Sequence, residues 1–305
     1  MPPAPTNRTR SYAICLAAYI AAGAVALGAA IAAARAAPDR LILAALLADL
    51  VATIVVFGFS LAFDNSSLYD PYWSVAPVPI AIFWFLRAGA GGTRIRQLVT
   101  LALLCAWSVR LTVNCLRRWK GIAQEDWRYA DFRRVGWLYW PISFLGFHLF
   151  PTAIVFLGCL SLFPALSSAG RPLGILDAIA AAVTATAISI EWTADRQLRR
   201  FLSKRSRDSG RGELLGKGLW ALSRHPNYFG EVLFWWGVWL FGLAAAPSWW
   251  WTIAGPLAIT AMFLFVSVPM MDRHLLARGS EELEGSHGTV REASRVADTP
   301  SSARE

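Results

Sequence analysis

Apolar residues run along this chain in long blocks separated by short polar segments. Blocks of Ala, Leu, Val, Ile and aromatic residues cover about 11–34, 41–63, 75–87, 95–116, 137–162, 173–194, 228–246 and 249–270. A helix needs about 20 mostly apolar residues to cross a bilayer. The third block is short; it crosses tilted, re-enters, or lies partly at the interface. The pattern predicts an all-α fold, a polytopic membrane bundle of seven to eight transmembrane helices. Arg8 and Arg10 before an Ala-rich run resemble a signal peptide, but the run reaches Ala34, longer than a cleaved apolar region. It reads as an uncleaved first span.

The polar segments divide the chain. Residues 1–63 hold Ala-rich spans with little polar content beyond Asp49. Residues 64–278 form a second membrane region with dense polar loops, and residues 279–305 form a polar tail expected to be disordered. Asp64–Ser74 and Arg117–Gly136 mix charges with aromatics, as interfacial turns or surface segments do. The Arg196–Arg224 loop holds nine Lys or Arg against two acids, which places it and the C-terminus in the cytoplasm. Arg87, Arg94 and Arg96 conflict with that alternation. Either the third block does not cross, or their loop breaks the rule.

Composition agrees: 56% of the 305 residues are hydrophobic and 16% charged, with a mean hydropathy of +0.44. Soluble domains carry roughly 25% charged residues. The net charge of +9 sits in loops beside spans and is no nucleic-acid signature. Cys15, Cys105, Cys115 and Cys159 lie in apolar blocks without CxxC spacing, so metal and disulfide roles are not expected. GxGxxG, P-loop, HExxH and GxSxG motifs are absent. Any cofactor must therefore be held by the bundle and its loops.

Chemistry concentrates late in the chain. Ser223-Arg224-His225-Pro226-Asn227-Tyr228-Phe229-Gly230-Glu231 reads as a helix start, since proline at the first helical position loses no hydrogen bond. Free N–H groups there, beside Arg224 and His225, favour an anion. Glu191 and Asp195 are four apart and share a helix face that Arg199 continues. With Lys217, these groups offer acids for ribose hydroxyls, an amide for nicotinamide and cations for phosphate. They equally suit an interior polar network.

Trp220–Glu231, Glu191–Gln197, Asn65–Ser74 and Glu125–Tyr129 resemble the bacterial DUF1295 group, which is similar to the C-terminal domain of steroid 5-alpha-reductases. The resemblance covers about residues 64–275. It implies an all-helical membrane fold and NADPH-dependent reduction of a carbon–carbon double bond conjugated to a ketone in a lipid-like substrate. It places Asp195, Asn227 and Glu231 on cofactor-contacting positions, with Arg199 and the motif residues Arg224, His225 and Tyr228 beside them. Arg273 and His274 are further candidates. For the substrate carbonyl it implies a carboxylate, matched to Asp70, and a tyrosine. That tyrosine position falls near Trp107, so Tyr69 or Tyr72 is the substitute. The tail departs from the family in lacking a Tyr-containing closing motif. Membrane isoprenylcysteine carboxyl methyltransferases share an Arg-His-Pro-x-Tyr-x-Gly-like motif and use S-adenosylmethionine, an alternative beside a non-catalytic protein on the same fold. The substrate and the oligomeric state are not legible.

Overall fold

The computed structural model describes residues 8–87, 93–119, 121–167, 170–207 and 216–277, all helices, turns and irregular connections without a strand. The tail 279–305 and the loop centre 208–215 lie outside the described residues. Seven helical runs are long and apolar enough to cross a membrane. They are α1 (Arg8–Ala36), α2 (Leu41–Ala62), α4 (Arg94–Arg118), α5 (Trp127–Cys159), α6 (Ile175–Arg207), α7 (Pro226–Ala245) and α8 (Pro247–Ala277), with the shorter α3 (Pro77–Arg87) between α2 and α4. Helix is the expected state, because hydrocarbon offers the backbone no other hydrogen-bond partner. Residues up to Ile259 form one compact unit, which includes α1 and α2, and residues from Thr260 another.

The Ala-rich spans are packing surfaces. Ala18 and Ala22 on α1 and Ala44, Ala48 and Ala52 on α2 are buried at helical spacing. Small side chains let helices approach closely in a bilayer. Ala22 and Ala52 join one cluster with Val56, Tyr69 and Tyr72, so the first spans pack directly on the polar segment that follows them.

The short third segment runs the length of its neighbour. It leaves the C-terminal end of α2 through the turn Ser66–Tyr69, and Trp84 on α3 donates to the carbonyl of Leu41 at the opposite end of α2, 3.3 Å away. The bundle thus has an Asp64 end and a Leu41 end. Arg94 and Arg96 open α4 at the Leu41 end, where the charge pattern conflicts with alternation. Arg96 is 2% exposed and bonds both oxygens of Asp177, at 2.6 and 2.9 Å, and the carbonyls of Arg171 and Pro172. Arg94 lies over the Phe85 ring at 4.9 Å. Arg96 is a staple for the 170–177 loop, and its charge is neutralised inside the protein rather than offered to a membrane surface.

Candidate functional site

Three helices build an acid-rich centre inside the bundle. On α4, Trp107, Arg110 and Asn114 recur at helical spacing and face α6 and α7. Arg110 bonds Glu191 through Nη2 and Asp195 through Nη1 at 2.9 Å, and lies 3.9 Å from Glu231. Glu231 accepts the indole N–H of Trp107 and of Trp235, each at 3.0 Å. Arg199 donates to Asn114 at 2.8 Å. Glu191, Asp195 and Glu231 are all buried, at 2%, 5% and 3% exposure, around one guanidinium. Among the described residues, no N–H or O–H donor reaches the buried Glu191 Oε1, and Arg110 Nε finds no acceptor. A carboxylate oxygen in that state is ready to accept a hydroxyl or amide donor.

Gly230 makes the centre possible. A Cβ there would run into the Glu191 side chain and lie 3.1 Å from the carbonyl of Ala187. Only a glycine lets α7 press Glu231 toward α6 at this level.

The motif before α7 folds as its sequence predicts. Pro226 opens the helix, and the N–H groups of Tyr228 and Phe229 both reach the carbonyl of His225 at 3.1 Å. The His225 and Tyr228 rings stack with centroids 5.1 Å apart. Asn227 lies four residues before Glu231 on the same face, half-buried. The preceding loop is tied to α6: Leu219 N–H donates to Gln197 Oε1 at 3.0 Å, and Trp220 Nε1 to the carbonyl of Ala194 at 3.1 Å. Gly218 has a φ of +65°, and the Gln197 amide fills the space of its absent side chain. Lys217 and Arg224 are exposed, and neither forms an ion pair among the described residues. Arg273 is exposed on α8 in the second unit.

The two dense polar segments meet at the Asp64 end. Ser66 N–H donates to Glu125 at 2.7 Å, Asp126 N–H to Ser67 Oγ at 2.8 Å, and Asn65 Nδ2 to the carbonyl of Ile122 at 2.6 Å. Arg133 joins Glu125 at 2.8 Å and Asp64 at 2.6 Å. Asp70 accepts from Tyr129 at 2.5 Å and Arg128 at 3.0 Å. Burial pushes the Asp70 carboxyl above its ordinary pKa, and Arg128 and Tyr129 pull it part of the way back. Tyr69, Asp70 and Tyr72, the candidates for the substrate carbonyl, meet different partners. Asp70 turns to the surface segment, while the two tyrosines turn into the bundle.

There Tyr72 meets an unanticipated partner. Its hydroxyl donates to Asp49 Oδ1 at 2.6 Å, and Asp49, on α2, is 5% exposed with no ion pair among the described residues. Tyr69 OH pairs with Thr152 Oγ1 at 2.7 Å, and its ring stacks on Tyr72 at 5.1 Å. Asp49 and Arg110 are the site groups with least warning in the sequence. Each is a single charged residue in the middle of an apolar span, costly in hydrocarbon unless it is partnered. That cost was the available signal. Trp107, which stands where the resemblance expects a phenol, supplies an N–H donor to Glu231 instead.

Shallow grooves open on the surface of the described residues. One of about 410 Å³ lies at the Leu41 end between Arg171–Asp177 and Leu243–Pro247. Another, of about 340 Å³, follows the outer face of α6 from Ala185 to Thr193 and ends on Leu219. Neither is lined by a residue of the acid-rich centre.

Fold and site together define a multi-pass, all-helical membrane protein with a buried acid-rich centre beside a polar helix start. The chain belongs to the DUF1295 family, described as a protein of unknown function, which matches over residues 56–284. It is similar to a protein of Schizosaccharomyces pombe (strain 972 / ATCC 24843) described as uncharacterized, 27% identical over 231 residues, 68% of this chain and 67% of the relative. No solved structure matches the chain.

Proposed function

We propose that this protein is an NADPH-dependent membrane reductase acting on a carbon–carbon double bond conjugated to a ketone in a steroid-like or other lipid substrate. The carrying observation is the buried Asp49–Tyr72 pair, 2.6 Å apart and without an ion pair among the described residues. A lone charge is costly in hydrocarbon, and as the neutral acid this carboxyl can itself donate a hydrogen bond. With Tyr72 donating to its Oδ1, the acid can give its own hydrogen bond to a ketone oxygen and stabilise the enolate that develops on it. This role passes from Asp70 to Asp49, since Asp70 is bonded to Arg128 and Tyr129.

The residues near α7 fit the cofactor. Lys217 and Arg224, exposed and without ion pairs among the described residues, suit phosphates beside a helix N-terminus. Asn227 suits the carboxamide, and the Glu191 oxygen that no donor among the described residues reaches suits a ribose hydroxyl or amide. Asp195, Arg199 and Glu231 hold that oxygen's surroundings in place. NADPH bound there supplies the hydride. The basic loop 196–224 faces the cytoplasm, where the cofactor is found.

Thermal unfolding of the detergent-purified protein tests this. NADPH at about 100 times its Kd should stabilise by about 2.7 kcal/mol. Lys217→Ala/Arg224→Ala should lose that gain while unfolding as wild type without ligand. With an enone substrate, Asp49→Asn and Tyr72→Phe should each lower kcat about 10²-fold. Stabilisation by S-adenosylmethionine alone, or by no cofactor, would overturn the proposal.

A further inference from the structure

Asp49 and Tyr72 lie at one end of a run of hydroxyls drawn from three separate elements. Thr53 Oγ1 and the Tyr72 phenol both donate to the carbonyl of Asp49, at 2.9 and 3.0 Å. Thr53 Oγ1 also meets Thr152 Oγ1 at 2.8 Å, and Thr152 Oγ1 meets Tyr69 OH at 2.7 Å. All of these side chains are buried; Thr53 is 0% and Thr152 and Tyr69 are each 2% exposed. A hydroxyl is one donor and two acceptors. In both the Thr53–Thr152 and Thr152–Tyr69 links either oxygen can be the donor. With the one Thr53 hydrogen on the Asp49 carbonyl, Thr152 donates to Thr53 and Tyr69 to Thr152, so the row points toward Asp49.

Packing alone does not call for this arrangement. A threonine inside a helix ordinarily satisfies its hydroxyl on the carbonyl four residues back. Thr53 and Ser60 do so. Among the described residues, Thr152 instead bonds the hydroxyls of Thr53 and Tyr69, both from other elements.

Beyond Tyr69 the polar path continues to the Asp64 end. The Tyr69 ring contacts the buried His148 ring at 4.8 Å. His148 meets Ser60 Oγ at 3.1 Å and the carbonyl of Ser143 at 2.9 Å. Ser143 Oγ reaches Ser66 Oγ at 2.8 Å, which reaches Tyr139 OH at 2.7 Å, which donates to Glu125 at 2.9 Å. Glu125 pairs with Arg133, which also holds the exposed Asp64. Two links need a side-chain movement: Tyr69 meets His148 ring to ring, and His148 meets Ser143 at its backbone carbonyl rather than its hydroxyl.

We propose that Tyr69, Thr152 and Thr53 form a proton relay that resupplies the Asp49–Tyr72 pair from the Asp64 end. As a step in catalysis it rests on the reductase reading. Reduction of the double bond adds a hydride and one proton to the substrate, and the relay carries only the proton. When Asp49 gives up a proton, Tyr72 passes its own to Asp49. Thr53 turns from the Asp49 carbonyl and passes its proton to Tyr72, Thr152 and Tyr69 follow in turn, and Tyr69 takes one from the Asp64 side. The row ends chemically unchanged and one proton has left water.

Infrared spectroscopy of the full chain in lipid nanodiscs tests the relay without any turnover. The Asp49 carboxylic acid band, assigned by its loss in Asp49→Asn, should shift on transfer to D₂O as the acid exchanges. Thr152→Val and Tyr69→Phe should each slow that exchange about 10²-fold, the scale of positioned proton transfer. Thr152→Ser, which keeps the hydroxyl, should restore it. Tyr69→Phe leaves the Thr53–Thr152 bond intact and covers the case in which Thr152→Val fails to fold. Exchange at the wild-type rate in the folded variants, or no protonated Asp49 band in wild type, would overturn the relay. Absence of NADPH-dependent enone turnover would instead overturn the reductase reading, with the exchange rates still judging the relay.

Discussion

Arg110 and Arg133 each draw carboxylates together, in opposite surroundings. The Arg110 side chain is 8% exposed and gathers acids from α6 and α7, far along the chain. The Arg133 side chain is 29% exposed, and its nearer acid, Glu125, lies eight residues before it. Arg133 also rests on the rings of Tyr139 and Trp140, at 4.0 and 5.0 Å. One centre works where water is absent and leaves a surplus of acid. The other works at the bundle end, where water shares the load. Depth decides the energetic weight of a charge more than the number of its partners does.

Substitution can break that contrast. Arg110→Ala leaves three buried carboxylates without their guanidinium and should cost about 3–5 kcal/mol in detergent unfolding, or prevent purification of folded protein. A loss below about 1 kcal/mol would mean that the acids are already neutral without it. Gly230→Ala should cost about 1–3 kcal/mol, because the added methyl displaces Glu191 and crowds the Ala187 carbonyl. It should also weaken NADPH stabilisation more than it lowers Tm, if the centre serves the cofactor. Arg133→Ala should cost about 1 kcal/mol or less. Its effect should shrink in about 1 M salt, where screening reaches about 3 Å, while that of Arg110→Ala should persist. Equal salt sensitivity would erase the distinction between the two sites.

The legible parts of the molecule were those with a local cause. The helix start at Pro226 follows from the proline and the polar run before it. Glu191 and Asp195 share a face because they are four apart, and they do converge on one partner. The segments Asp64–Ser74 and Arg117–Gly136 stand out by composition, and they do bond each other. Their pairing was not legible, because nothing in either segment names the other. Neither was the divergence of Tyr69, Asp70 and Tyr72. A turn sends adjacent side chains in different directions, and only the neighbouring helices decide which way is buried.

The sequence by itself determined the solvent and the secondary structure. Apolar blocks of about 20 residues must be helices in a bilayer, because the backbone has no other partner there. Only the tertiary structure decided which isolated polar residues meet. Arg110 reaches Glu191, Asp195 and Glu231, and Tyr72 reaches Asp49, across helices far apart in the chain. Helical spacing fixes which residues share a face, but which faces meet depends on small residues such as Gly230, whose effect is read only once two helices are in contact.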